Sequence, residues 1–263
     1  EYDCTGQCVR VPGQAKVPRN AQVRSFPLIE RYNAVWIWTG DPARADPERL
    51  FDIEHYKAPG WHVLDGGYQL HETGYVNIAD NLMDPAHTTF VHGRTIGMPK
   101  ASEVPVEVEE SDVHVCAHRW TNDIEPIPSD RKIAEFKGRI DRRQSYNYIP
   151  PCISKVEAVT IPAGEPHSEE VMAKGLRTVG YKFLTPENAG RTHFFWMQLR
   201  NFEVPEYKMA DYISAQDTTF QEDNVVLSAI QREQEATGVV QQTWIAIDEA
   251  PTKMRRMIQR MLD

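Results

Sequence analysis

Between Asn81 and His92 the chain places an amide, a carboxylate and two imidazoles among apolar neighbours. The centre of the stretch, Asp84 to His92, has the pattern D-x2-H-x4-H. Imidazole is the commonest protein ligand for a metal ion, and a buried imidazole needs a partner. Leu82, Met83, Phe90 and Val91 argue for burial of the whole stretch. A further carboxylate comes from far along the chain. Phe220, Leu227 and Ile230 recur at helical spacing, and Asp223 falls on the same apolar stripe. A carboxylate there is costly unless it is paired or metal-bound. An arginine salt bridge is the structural alternative for Asp223, and Glu222 is the alternative ligand. Two histidines and one carboxylate form the facial triad of non-haem Fe(II) oxygenases, which leaves positions open for O2. Zinc hydrolases use the same ligand types, although the helical zinc motif H-E-x-x-H is absent.

The elements that position these groups follow from spacing. The stretch reads as helical, but His87 and His92 stand about 140° apart on a regular helix and cannot share one ion from it. Pro85 breaks the chain at Asp84, which is placed to cap a short helix starting at Pro85. Gly93 favours an end to that helix before His92. Taken as bare spacing, the pattern also fits an N-cap followed by two surface histidines.

Around this stretch, residues 1–45 read as rich in strands and turns, with Ala34–Trp38 a short strand. The polar, proline-marked Asp41–Pro47 sets a domain edge, so the expected domains are 1–45 and 46–263. Strands are expected at Trp61–Glu72, Val104–Val108, Val113–Trp120, Val156–Thr160, Leu176–Leu184 and Thr192–Asn201. Residues 121–155 are charged and proline-punctuated and carry no clear pattern. A long helix runs from about Glu206 to Ala236, closed by Thr237-Gly238, and a second starts near Asp248 with Pro251 in its first turn. Strands first and helices last mean α+β, an antiparallel sheet with helices on one face. With 263 residues, 41% hydrophobic and 25% charged, the composition is that of an ordinary globular chain. A net charge of -9 without a basic block argues against nucleic acid and anionic membranes as partners. No apolar run reaches the length of a membrane span. Cys4, Cys8, Cys116 and Cys152 are read as reduced, which fits the cytoplasm. The missing initiator Met suggests that the chain begins inside something larger.

At these residues the chain resembles the Rieske non-haem iron oxygenases, in particular the branch of vanillate O-demethylase, dicamba monooxygenase and toluenesulfonate methyl-monooxygenase. Glu30-Arg31-Tyr32, Val35–Trp38 and Gly40-Asp41-Pro42 resemble the end of that family's Rieske domain. Asp80–His87 with Val91-His92 resembles its iron motif. Phe183–Glu187 and Leu199–Phe202 resemble its late sheet, and Glu222-Asp223 with Val225-Val226 its third-ligand helix. The resemblance implies a helix-grip (Bet v 1/START-like) catalytic domain with His87, His92 and Asp223 as iron ligands. It implies that Asp84 links the Rieske cluster of one protomer to the iron of the next, and that Asn81 lies close to the iron. It further implies a head-to-tail homotrimer, O2 and an aromatic substrate. The electron donor would be a flavin/iron-sulfur reductase or a ferredoxin.

One departure stands out. A Rieske [2Fe-2S] cluster needs C-x-H together with C-x2-H. Cys116-Ala117-His118 has the first spacing without the second and is read as sheet core. The cluster is therefore expected in the full-length protein, with its ligands outside this sequence, and residues 1–45 as the tail of its domain.

For the substrate, the resemblance places Lys182 at a position that can face it, where an ammonium suits an anionic aromatic. Phe183, His193, Phe195 and Trp196 are candidates for an apolar pocket, with His193 and Phe195 chosen beside Lys182. The expected activity is hydroxylation or oxidative demethylation. The competing readings are a non-catalytic ligand-binding domain of the same architecture and a zinc hydrolase. Metal content and O2 dependence separate the three.

Overall fold

The computed structural model describes residues 1–93, 95–127, 131, 138–239 and 243–262. The chain divides into two compact units, 1–54 and 55–263. The division falls beyond the Asp41–Pro47 stretch. That stretch forms two 3-10 turns, each started by an aspartate whose side chain accepts from a backbone N–H.

In the first unit, β1 (Leu28–Arg31) and β2 (Ala34–Ile37) pair as an antiparallel hairpin. Its two connecting residues, Tyr32 and Asn33, both have positive φ, the twist that a two-residue hairpin requires. Leu28, Val35 and Ile37 are exposed on it.

The second unit is built on seven antiparallel strands. These are β3 (His62–His71), β4 (Glu107–Glu110), β5 (Val115–Ile124), β6 (Ile140–Ile149), β7 (Ile153–Pro162), β8 (Leu176–Asn188) and β9 (Arg191–Arg200). Their order is β3-β9-β8-β7-β6-β5-β4. From β4 to β9 each strand lies beside its predecessor, and only β3 pairs across a long separation. The helices are α1 (Tyr75–Met83), α2 (His87–Val91), α3 (Glu169–Lys174), α4 (Glu206–Thr237) and α5 (Glu249–Leu262).

One core joins the sheet to α1, α4 and α5. Ile78, Leu82 and Met83 of α1, Phe220 and Leu227 of α4, and Met254, Met257 and Ile258 of α5 meet Val115, Tyr148, Leu184, Phe194 and Trp196 of the sheet. The contact between β3 and β9 is close. A Cβ on Gly67 would fall within the ring of Trp196, so only glycine fits beneath that indole. The expected α+β class and most strands are present, with different extents. β6, α3 and the first part of α1 are among the elements that sequence patterning does not reveal. β6 carries Arg142, Gln144 and Asn147, which mask its strand character. The Cys116-Ala117 pair is buried in β5, as expected. Gly238 closes α4 with φ 67°.

Candidate metal centre

α1 ends at Asp84 because Pro85 follows it. The Asp84 carboxylate then turns to the next helix, accepting from Ala86 N at 2.7 Å and His87 N at 3.2 Å. α2 begins at His87, two residues later than the proline suggests. A five-residue helix does not stand alone in water, so its neighbours hold it. Arg119 of β5, 2% exposed, donates to Pro85 O at 2.9 Å and to Ala101 O at 2.7 Å. It thereby ties the start of α2 to the segment that follows it. Past Val91 the chain leaves the helix. His92 has φ -104° and ψ 29°, and its carbonyl accepts from Thr95 N and Gly97 N. A Cβ on Gly97 would stand 2.8 Å from that carbonyl oxygen. The two imidazoles therefore converge because the second lies beyond the helix end.

The third group comes from α4. Asp223 is 5% exposed and sits between Phe220 and Leu227, also buried, while Ile230 at the end of the stripe is 41% exposed. His87 Nε2 and His92 Nε2 are 3.2 Å apart. Asp223 Oδ1 is 3.1 Å from His92 Nε2 and 3.5 Å from His87 Nε2. Three donors about 2.1 Å from one ion stand roughly 3.0–3.4 Å apart between right-angled and tetrahedral geometry. Among the described residues this is the group of histidine, cysteine and carboxylate side chains able to share a metal ion.

The protons support the same arrangement. His87 Nδ1 lies 2.5 Å from the Asp84 carbonyl, and His92 Nδ1 lies 2.9 Å from Glu222 Oε2. Both acceptors require a proton on Nδ1, which leaves both Nε2 atoms as lone pairs facing each other. Asp223 Oδ1, also a lone-pair atom, is buried and makes no well-formed hydrogen bond, although His92 Nε2 is near. Three buried acceptors turned toward one point need a cation there, and the residues fit a metal ion. Without one, a second proton on His92 takes its place. Burial opposes that charge, but the Asp223 and Glu222 carboxylates outweigh it and raise the His92 pKa. Burial dominates at His87 and lowers its pKa. Burial works against the Asp223 anion too, yet the adjoining His92, His87 and Asn81 side chains outweigh it and hold its pKa below normal.

Asn81 of α1 favours the Asp223 anion, which relates it to the site. Glu222, weighed from sequence as a ligand, instead stands behind His92 and also accepts from Thr95 Oγ1 at 2.9 Å. Two residues escaped the sequence reading. Arg119 is one; its only signal is a charge inside an apolar strand. The other is His71 at the end of β3. It is stacked on Phe194 at 4.7 Å and 1% exposed, and burial pushes its pKa down to about 4.

Beside the metal site lies a cavity of about 120 Å³, lined by Ile96, Gln144, Lys182, Gln198, Tyr212 and Phe220 among others. Lys182 is 6% exposed, and burial lowers its pKa to about 8, with Asp223 opposing. His193 and Phe195 do not join it. Lys182 pairs with Trp196 and Phe183 with Phe195 across β8 and β9. Directly paired residues share a face, so Phe195 and His193 point to the opposite side from Lys182. There His193 meets Tyr68 at 3.0 Å, and Phe195 is 43% exposed.

Comparison with known proteins matches this arrangement to a family. The vanillate O-demethylase oxygenase C-terminal domain matches residues 71–263. The oxygenase component of dicamba O-demethylase from Stenotrophomonas maltophilia is 30% identical, over 99% of this chain and 77% of that protein. Dicamba monooxygenase bound to 3,6-dichlorosalicylic acid superposes with a TM-score of 0.85 at 28% identity, over 99% of this chain and 76% of that one. Its structure with non-heme iron and dicamba superposes at 0.77, also at 28% identity, over 99% and 75%. No helix among the described residues is long and apolar enough to cross a membrane. The family match covers well over half the chain, which therefore belongs to the vanillate O-demethylase oxygenase family and is an oxygenase component of the Rieske-type non-haem iron monooxygenases.

Proposed function

We propose that this chain oxidises an aromatic acid at a mononuclear Fe(II) held by His87 Nε2, His92 Nε2 and Asp223 Oδ1. The observation that carries the reading is the convergence of these lone-pair atoms from α2 and α4, with both tautomers already set by Asp84 and Glu222. When bound, the iron supplies O2 activation beside the substrate. The chain's own residues bind, orient and exclude water. Lys182 takes the carboxylate or sulfonate, Phe220 walls the ring, and Gln144 and Gln198 offer amides to the acid group. At about 120 Å³ the cavity is on the scale of a single ring, an apolar cavity of about 150 Å³ being enough for benzene, and its wall is mixed polar and apolar. Hydroxylation of a ring methyl or methoxy carbon is the outcome, and demethylation follows when a hemiacetal-like product collapses. The O-demethylase named among the relatives supports this.

Asp84 is the electron bridge in this reading. Its carbonyl meets His87 Nδ1 directly, so an electron reaching Asp84 is one hydrogen bond from a ligand imidazole. The donor would be a Rieske [2Fe-2S] cluster of the neighbouring protomer in a head-to-tail homotrimer. A flavin/iron-sulfur reductase or ferredoxin in the cytoplasm would reduce that cluster. Within the 263 residues given, C-x-H at Cys116–His118 has no C-x2-H to accompany it.

The test is anaerobic reconstitution with Fe(II), followed by metal analysis after gel filtration. Stoichiometric iron is expected, lost in His87→Ala. Retention of no metal, or of zinc with turnover that needs no O2, would overturn the reading.

A further inference from the structure

A glycine lies where the cavity's ammonium meets one of its amides. Gly180 of β8 stands between Val156 of β7 and Gln198 of β9 and pairs directly with both. Paired residues share a face, and every second residue along a strand returns to it, so Gly180, Lys182 and Gln198 look inward together. Val156, Lys182 and Gln198 all line the cavity beside the metal site.

Lys182 folds back along its own strand, and its Nζ donates to Gly180 O at 3.3 Å. A Cβ on Gly180 would stand 2.9 Å from that Nζ and 2.7 Å from Gln198 Oε1. Both distances run to one point, so the ammonium and the amide oxygen are at most 5.6 Å apart, the sum of the two. Lys182 is 6% exposed, and the Phe220 ring centre lies 5.8 Å from its Nζ. Among the described residues it forms no ion pair. A buried ammonium held by one long hydrogen bond is costly until an anion joins it. An oxyanion placed over Gly180 meets the ammonium through a charge-assisted bond, and the Gln198 amide can turn its NH2 group to the same oxyanion.

The backbone does not itself call for glycine here. Gly180 is not among the residues with positive φ, and a glycine inside a strand weakens it. The atoms that would crowd a Cβ are the tips of two flexible side chains and not backbone. Alanine would therefore fit the sheet by pushing those tips away, and its effect would fall on the cavity.

We propose that Gly180 is a specificity-determining residue: its missing side chain opens a seat in which Lys182 and Gln198 together bind the acid group of the ligand. This rests on the reading of the cavity as an aromatic-acid site.

Calorimetric titration of the full chain with benzoate and its neutral isostere benzamide tests the proposal. Wild type is expected to favour benzoate at least tenfold. Gly180→Ala should cut that preference to threefold or less, with the melting temperature unchanged or raised. Adding Gln198→Ala to Gly180→Ala gives Lys182 room again and should restore part of the preference. Gln198→Glu sets a carboxylate beside the ammonium and should weaken benzoate at least tenfold while benzamide stays within threefold of wild type. An unchanged preference in Gly180→Ala, whether or not both ligands bind more weakly, would overturn the proposal. Gln198→Glu stands as a test even where Gly180→Ala fails to fold, and benzoate binding there as tight as in wild type would overturn it too. A benzoate preference that survives these substitutions removes only this inference; absence of benzoate binding by the wild type removes the aromatic-acid reading with it.

Discussion

The two ends of α2 are held by different means. At its start, His87 is fixed by groups close in sequence: the Asp84 carbonyl, the Asp84 cap and the break imposed by Pro85. At its end, His92 is fixed from α4, through Glu222, by a carboxylate far away in the chain. A carbonyl leaves an imidazole neutral, and burial lowers the His87 pKa further. A carboxylate makes the ring more basic, and the His92 pKa is raised. One ligand is therefore ready for metal without a proton to lose, and the other must release one.

Removal of a donor erases the comparison and has the largest expected effect. His87→Ala, His92→Ala and Asp223→Ala should each abolish stable metal retention, measured on anaerobically loaded protein. Retention in any of them would show that the three do not share an ion.

Glu222→Gln sharpens the contrast. An amide oxygen still accepts from His92 Nδ1 but adds no charge, so metal affinity should fall by about 10–100-fold, the usual effect of losing a partner behind a ligand. Arg119→Met acts on the other end. It releases the Pro85 and Ala101 carbonyls, and an affinity loss of about tenfold is expected. The melting temperature of the metal-free protein should fall less, because methionine keeps most of the packing and only the two carbonyls lose a donor. Equal losses of stability and affinity would make Arg119 a core residue only.

The proton gives a further test. The folded His92 pKa lies above its unfolded value of about 6.5, so its protonation stabilises the metal-free fold most at lower pH. That stabilisation fades as the pH rises through the folded pKa. Metal must displace the same proton, so metal affinity should climb with pH over that window and then level. Titration with Co(II) at a series of pH values reads this. In Glu222→Gln the levelling should move to lower pH, and a profile identical to wild type would contradict the assigned difference between the imidazoles.

The smallest effect is expected at the cap. Asp84→Ala should cost about 1 kcal/mol in thermal unfolding. Asp84→Asn, an equally good cap, should keep both fold and metal. Normal electron transfer to the iron in Asp84→Asn would refute the bridging role.

The same division explains what the sequence made legible. Pro85 and Gly93 act on their immediate neighbours, so the break at Asp84 and the escape of His92 from the helix could be read from spacing. Asp223 was readable because a carboxylate on an apolar stripe is costly wherever the stripe packs. The work of Glu222 and Arg119 was hidden, since it depends on which elements meet. The exclusion of His193 and Phe195 was hidden for a related reason. Alternation along β9 separates His193 and Phe195 from Trp196, but only the register with β8 says which set faces Lys182. β6 went unseen because Arg142 and Gln144 face a polar cavity, which breaks the apolar alternation that marks a strand.

The pairing of β3 with β9 also has a kinetic side. The remaining strands can zip from neighbour to neighbour, whereas this pair closes a loop that contains almost the whole sheet. α1 and α2 leave directly from β3, and α4 follows β9, so the donors meet only after that closure. Metal should therefore act late, slowing unfolding far more than it speeds folding. Trp196, seated on Gly67 of β3, is a built-in reporter. In stopped-flow refolding its fluorescence change should precede metal capture, and the two should separate further as metal is diluted.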